Sequence, residues 1–462
     1  MNTCQNYNYD TDIEELFFEK VNEIKNKELR EKIKISWLND KGIYTSLTDK
    51  IEYEFIHYSL HDDSHSKCIL EYIFLLLGEE KIKQFSVGDL WLLLEAAYSH
   101  DIGMFVTYDE LKEIWQDDKT IKKIIRKVSM NSDKNAIQVF NRLKCCIDEQ
   151  ISDIDNPPLK ENHDFIKSHP QWPLEIRKAI TLINSEYVRM KHPERSQNKI
   201  IDLLEKFEYL NMEKRLYKIV GKIDYLHGQD FSKVKQILEC ESLGFSTDLI
   251  HPRMIALLLR IGDVLDVRNN RFDYWNIKYF GGLPEDSEEH FEKHRSVTEF
   301  LINEETVQIH MESDKIKTCV ASRAWLDLVE KEMDHYICYW NAFAPDELKG
   351  VKLKKVDLLV LYKDQKFILQ DFRDNLKADP DKLLRLLTGR NFYGTNLVAF
   401  REILQNAIDA TKMKIAAELY KDKTYWINKE ITDFKSIKPY DIQSQLFENN
   451  DITIKVNYAH KN

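Results

Sequence analysis

Leu90, Leu93, Leu94 and Ala97 recur at helical spacing in the stretch that runs into Tyr98-Ser99-His100-Asp101-Ile102-Gly103-Met104. That periodicity predicts a buried helix over about 87–100, with Gly103 as its terminator. The chain must therefore build a core around this segment and present adjacent His and Asp side chains at its C-terminal end. An imidazole nitrogen beside a carboxylate is a ready pair of metal ligands.

Helical patterning extends in both directions. Ile13, Leu16, Phe17, Val21 and Ile24 recur every three or four positions and predict an amphipathic helix from Asp10 to about Leu38. Further helices are expected around 47–60, 65–78, 107–115 (Thr107 with Glu110 reads as a capping box), 118–127 and 133–151. Pro157, Pro158 and Pro170 punctuate a connector, and Pro173 starts a helix that ends near Met190. Helices at about 197–206, 211–226 and 251–266 follow. After Asn270 the texture changes. Alternating runs at 297–301 and 306–310, around Asn303-Glu304-Glu305, predict a hairpin, and a helix covers about 316–340. Segments 356–362, 366–370 and 451–458 read as strands; Asp379-Pro380 starts a helix, and another runs over about 397–420.

With 462 residues, 43% of them hydrophobic, two or three domains with real cores are expected. The formal net charge of −11 argues against a protein that wraps nucleic acid. Seven cysteines without a CxxC spacing read as reduced thiols in a cytoplasmic protein, and the polar N-terminus lacks a signal-peptide pattern. The longest apolar runs, such as Ile73 to Leu77, are too short to span a bilayer, so no membrane partner is expected.

His65, His100, Asp101 and Asp263 each lie on or beside an apolar helix. Two imidazoles and two carboxylates suit a divalent transition metal with open positions for water and phosphate oxygens, and a bridging carboxylate could recruit a second ion. Three flanks go with them: His-Ser-x-x-Ile at 65–69, His-Asp-Ile-Gly at 100–103 and Leu-Arg-Ile-Gly-Asp-Val-Leu-Asp at 259–266. In order and in apolar surroundings these resemble the signature helices of the HD-domain phosphohydrolase superfamily. The resemblance covers about 45–275 and implies a mainly α fold, an HD helical bundle, in which His65, His100, Asp101 and Asp263 ligate Mn, Mg, Fe or Co. The long gap between Asp101 and Asp263 marks a helical insertion at about 107–185 that would cover the pocket or build an oligomer interface.

Other side chains are candidates for the same site. In Arg189-Met190-Lys191-His192-Pro193-Glu194-Arg195, His192 is either a general acid for the leaving oxygen, with Arg189 or Lys191 clamping phosphate, or part of a basic helix C-terminus. An Arg-x-x-His element after the His-Asp helix recurs in HD proteins, which favours the first reading. His61 either assists catalysis or caps a turn, and His227 either is similar to a His found near the site in some HD families, where it would bind substrate, or simply ends an apolar helix. Arg260 and Arg271 flank Asp263 and either bind phosphates or pair with nearby acids. Asp266 either orients a ligand or is a solvated turn acid.

A second resemblance lies in Phe400-Arg401-Glu402-Ile403-Leu404-Gln405-Asn406-Ala407-Ile408-Asp409, which puts Glu402 and Asn406 on one helix face with Asp409 three residues beyond. The segment resembles the N-box helix of GHKL ATPases, the superfamily of gyrase, histidine kinases and the large heat-shock chaperone, in which the Glu activates water and the Asn holds magnesium. Asp379-Pro380 and Tyr393-Gly394 fit the lead-in to such a helix. From Thr395 to Asn462 there is no glycine, so the Gly-rich elements that hold the nucleotide are missing and ATP with magnesium is not expected to bind. Either the chain is a piece of a longer protein or the segment is a structural helix.

These readings divide the chain into an N-terminal helical extension at 1–44, the HD domain at 45–275, an α+β linker region at 276–375 and a partial GHKL-like α/β domain at 376–462. The resemblance implies a phosphohydrolase acting on nucleotides, and the cations near the ligand set favour a deoxynucleoside triphosphate triphosphohydrolase. Water would attack the α-phosphorus, with His192 or His61 aiding the triphosphate. A homo-oligomer is expected by the same resemblance. By analogy alone, pairing with a GHKL-like module suggests nucleotide depletion in antiviral defence, alongside a partner protein. The alternatives are a cyclic- or oligonucleotide phosphodiesterase, although the His-His-Glu and Gly-Tyr-Pro elements of one branch are absent, and a chaperone-like ATPase whose HD block is a binding module.

Overall fold

Four helices open the chain in a computed structural model that describes residues 10–55, 58, 62–130, 172–206, 212–245, 248–267, 285–366 and 405–406. They are α1 (Asp12–Glu23), α2 (Lys27–Thr48), α3 (Asp63–Leu77) and α4 (Val87–Ser99). The single helix expected over 10–38 divides at Asn26, whose side chain accepts from the Leu29 N–H at 3.1 Å and so starts α2. The helix expected at 47–60 is only a short turn, Ile51–Glu54, because α2 extends to Thr48.

Helices α5 (Tyr108–Gln116) and α6 (Asp118–Met130) follow, and the Thr107–Glu110 capping box forms as read. Next come α7 (Trp172–Lys206), α8 (Lys214–His227) and α9 (Pro252–Leu265), with a two-strand antiparallel pair, β1 (Ser242–Leu243) and β2 (Leu249–Ile250), before α9. Two helices were expected in place of α7, one ending near Met190, yet the helix runs straight through Pro193. A proline inside a helix withholds the N–H that should reach the carbonyl four residues back. Here that carbonyl, on Arg189, accepts from the ring Nδ1 of His192 at 2.7 Å instead.

Every residue of α4 from Gly88 to Ser99 is buried. It is enclosed by α1, α2, α3, α8 and α9, and Ile69, Leu92, Leu93, Val220 and Leu258 belong to the one large core. Where the insertion was expected, Ile114, Ile121, Ile183 and Val188 form a second apolar cluster with Met104 and Val106.

Beyond α9 lie α10 (Glu285–Arg295), the hairpin β3 (Val297–Ile302) and β4 (Thr306–Ser313), and α11 (Ile316–Phe343). Strand β5 (Lys355–Tyr362) pairs parallel to β4, so α11 is the crossover between them, and β6 (Gln365–Lys366) closes a four-stranded sheet in the order β3-β4-β5-β6. Helix α11 packs along α9. The fold is thus mainly α with small sheets.

The chain divides into the units Met1–Leu369 and Gln370–Asn462. Of the second, only Gln405 and Asn406 are described, as exposed helical residues. The helix expected at 133–151, the Pro157–Pro170 connector, the Asp379-Pro380 helix and the strand at 451–458 lie outside the described residues, as does most of 366–370. Among the described residues no helix is long and apolar enough to cross a membrane.

Candidate metal centre

His65 lies in the first turn of α3, whose N-terminus is capped by the Asp62 side chain, which accepts from the Ser64 N–H. Asp263 lies on α9, next to Gly262. A Cβ at 262 would stand 2.7 Å from Ile69 Cγ2 and 3.0 Å from the Ile69 carbonyl oxygen, so the glycine lets α9 lie close on α3. That approach brings Asp263 Oδ1 to 3.4 Å from His65 Nε2. The C-terminal end of α4 supplies His100, with Nε2 3.4 Å from Asp101 Oδ2 and 3.9 Å from Asp263 Oδ1. Asp101 Oδ2 is also 3.6 Å from His65 Nε2.

The other oxygen of Asp101 faces a different pair. Its Oδ1 is 3.5 Å from His192 Nε2, which is in turn 2.8 Å from His227 Nε2. Two trios result, His65/His100/Asp263 and Asp101/His192/His227, each with its ligand atoms within 4.8 Å of one another. Asp101 reaches both.

All four imidazoles are held by Nδ1. His65 is bound there by the buried carboxylate of Asp266, at 2.7 Å. His100, His192 and His227 are bound by the carbonyls three residues earlier, of Ala97 at 3.1 Å, Arg189 at 2.7 Å and Asp224. A carbonyl only accepts, so Nδ1 of these three rings carries the proton, and in the neutral ring Nε2 is left as a lone pair. The Nε2 atoms of His192 and His227 then repel each other across 2.8 Å unless a cation shares them. Among the described residues His100 Nε2 has no hydrogen-bond partner, although it is buried and faces two carboxylates. Nitrogen lone pairs and carboxylates gathered in this way, with the far side of each ring fixed, fit a divalent transition metal.

The charges agree. Burial pulls His100 down, but the carboxylates of Asp101 and Asp263 override it and push the ring up to about 9. Burial would raise Asp263, yet the His65 hydrogen bond and the nearby His100 and His65 rings hold it well below the ordinary carboxylate range. His227 falls to about 3, through burial and the neighbouring His192 and His100. Without an ion, then, a proton on His100 offsets the carboxylates, and a divalent ion would displace it.

The HD-CE family model matches residues 55–335, more than half of the chain. This chain belongs to the HD-CE family. No curated protein and no solved structure matches it. The HD-CE region is an HD-type domain, and its clustered His and Asp side chains fit a metal-dependent hydrolase.

The remaining sequence candidates are placed as follows. Arg260 of the HD-CE region turns to Glu332 and to the carbonyls of Leu226, His227 and Gln229, which is the structural pairing left open above. The Arg189 guanidinium lies over the Tyr58 ring at 4.6 Å and 3.6 Å from Glu186, and Lys191 is 3.6 Å from Glu194. His61, Arg271, Glu402 and Asp409 lie outside the described residues, and Asn406 is described only as helical and exposed. Asp224 and Ser196, and the particular contacts of Arg195, carry no mark in the sequence. Arg195 donates to the Gly103 and Phe105 carbonyls at 2.8 and 2.9 Å, and Ser196 Oγ accepts from the Gly103 N–H at 2.9 Å, so α7 is seated on the His-Asp turn. The sequence signal for this was Gly103, where a Cβ would stand 2.5 Å from the Ser196 nitrogen.

Proposed function

We propose that this HD-CE chain hydrolyses a phosphate ester of a nucleotide with two divalent ions, one held by His65, His100 and Asp263, the other by His192 and His227, with Asp101 between them. The observation that carries this reading is the Asp101 carboxylate, whose two oxygens face different trios. Bound ions of this kind lower the pKa of water and neutralise charge on phosphate oxygens. The chain's own part is orientation: Asp266 and three carbonyls fix the rings, with His65, His100 and Asp101 buried while Asp263 and His192 stay open to water and substrate. With His192 Nε2 committed to the centre, His61 is the sequence candidate left to protonate the leaving oxygen.

The finer reading, a deoxynucleoside triphosphate triphosphohydrolase, rests on Arg189 and Lys191 beside His192. A phosphodiesterase acting on cyclic or short oligonucleotides is favoured by one observation. Arg260 of α9 and Arg195 of α7, two of the cations on the helices that carry Asp263 and His192, are spent on protein acceptors, which leaves less positive charge for a triphosphate.

The test is incubation of the purified chain with Mn²⁺ and a panel of deoxynucleoside triphosphates, cyclic dinucleotides, short oligonucleotides and ATP. Release of intact triphosphate, abolished by Asp101→Ala, supports the first reading, and release of nucleoside monophosphates supports the second. Release of γ-phosphate from ATP that survives Asp101→Ala but not Glu402→Ala would sink both in favour of the GHKL-like segment.

A further inference from the structure

Helix α9 carries two functional faces one turn apart. Asp263 points to the first trio, while Arg260, buried, crosses to the end of α8. Its Nη1 donates to the carbonyls of Leu226, His227 and Gln229 at 2.7, 2.9 and 2.8 Å. Terminal carbonyls of a helix have no partner within it and attract cations, so Arg260 caps α8 at the residue that bears the His227 ring. The guanidinium is aimed by Glu332 of α11, which takes Nε at 3.0 Å and Nη2 at 2.5 Å. Glu332 also accepts from His335 Nδ1 at 3.2 Å, and the His335 ring stacks on Phe231, four residues past His227, with centroids 3.9 Å apart and planes 13° from parallel. Helix α11 thus grips the end of α8 at two points.

We propose that Arg260 and Glu332 are positioning residues for His227, and that α11 governs occupancy of the second ion site through them. This rests on the two-ion reading above. Capping the Leu226 and His227 carbonyls fixes the last turn of α8, and with it the Asp224 carbonyl that holds His227 Nδ1. When the cap loosens, the His227 ring swings and the second trio opens, while His65, His100 and Asp263 keep their places.

The experiment uses the full chain, stripped by chelator and titrated with Mn²⁺, with bound ions counted by mass spectrometry and the coupled pair followed by electron paramagnetic resonance. The unaltered chain takes up two ions and shows an exchange-coupled signal. Glu332→Gln, and the double change Arg260→Met with Glu332→Met, keep the first ion at unchanged affinity and bind the second about ten-fold or more weaker. The double change removes both buried charges at similar volume, so it leaves no uncompensated charge to unfold the chain. Wild-type affinity for the second ion in either variant, or loss of both ions together, overturns the proposal. An unaltered chain that binds a single ion overturns the two-ion reading itself, before any variant is made.

Discussion

Replacing Gly103 with alanine tests how the His-Asp turn is joined to α7. A Cβ at 103 would stand 2.2 Å from the His192 carbonyl oxygen, 2.5 Å from the Ser196 nitrogen and 2.6 Å from Ser196 Oγ. The first two are main-chain atoms and cannot rotate away. Reaching ordinary contact requires α7 to withdraw by about 1 Å, and overpacking of this kind costs about 1–3 kcal/mol. The retreat also strains the hydrogen bonds from Arg195 to the Gly103 and Phe105 carbonyls and from the Gly103 N–H to Ser196, each worth about 1 kcal/mol. His192 rides on α7, so its 3.5 Å approach to Asp101 lengthens with it. Gly103→Ala is therefore expected to lose about 2–4 kcal/mol in urea denaturation and to bind the second Mn²⁺ at least about ten-fold more weakly, with the first retained. A variant that melts like the wild type and binds both ions unchanged would refute the seating of α7 on this turn.

Three other perturbations follow from the same geometry. Asp266→Asn keeps an acceptor for His65 Nδ1 but removes its charge, so Mn²⁺ affinity at the first site falls about 10–100-fold in titration, and an unchanged affinity counts against the role of Asp266. Because His100 in the ion-free chain titrates at about 9, binding of the first ion at neutral pH expels about one proton, and affinity rises about ten-fold per pH unit until it levels near that value. Calorimetry in buffers of different ionisation enthalpy counts the proton, and none released means His100 is already neutral. For folding of the ion-free chain the sign is opposite: the raised His100 pKa contributes stability that is complete below 6.5 and is lost as pH rises through about 9. Finally, burial pushes Asp40 from 3.8 up to about 6, against hydrogen bonds from Tyr217, Glu95 and Ser36, so its ionisation costs up to about 3 kcal/mol, a cost that grows across that interval and is complete above it. Asp40→Asn should raise the melting temperature more at pH 8 than at pH 5, and an equal effect at both removes the argument.

What could be read in the sequence was local or periodic. Helix α4 was legible because Leu90, Leu93, Leu94 and Ala97 must turn inward wherever the chain goes, and the Thr107–Glu110 box formed because its partners are three residues apart. The clustering of His65, His100, Asp101 and Asp263 was announced by ordered motifs on apolar helices. What escaped was set by partners distant in sequence. Arg260 reads equally as a phosphate contact or an ion-pair partner until Glu332, 72 residues on, claims it. Asp266 reads as a solvated acid until packing buries it against His65. His192 and His227 are separated by 35 residues, and nothing in either local sequence announces that their Nε2 atoms meet. At Pro193 a sound local rule failed because a side chain replaced the backbone donor whose absence makes the rule.

That last exchange sets helix strength against ring orientation at a single position. An alanine at 193 would aim a main-chain N–H at the Arg189 carbonyl, the atom that now anchors His192, and by helix propensity alone it would be the better residue by about 3 kcal/mol. The backbone N–H would compete with the imidazole for that carbonyl and weaken its hold on Nδ1. A chain improved for thermal endurance in this way would hold the His192 ring less firmly, so consensus-style stabilisation of α7 would work against the orientation that the Arg189 carbonyl fixes.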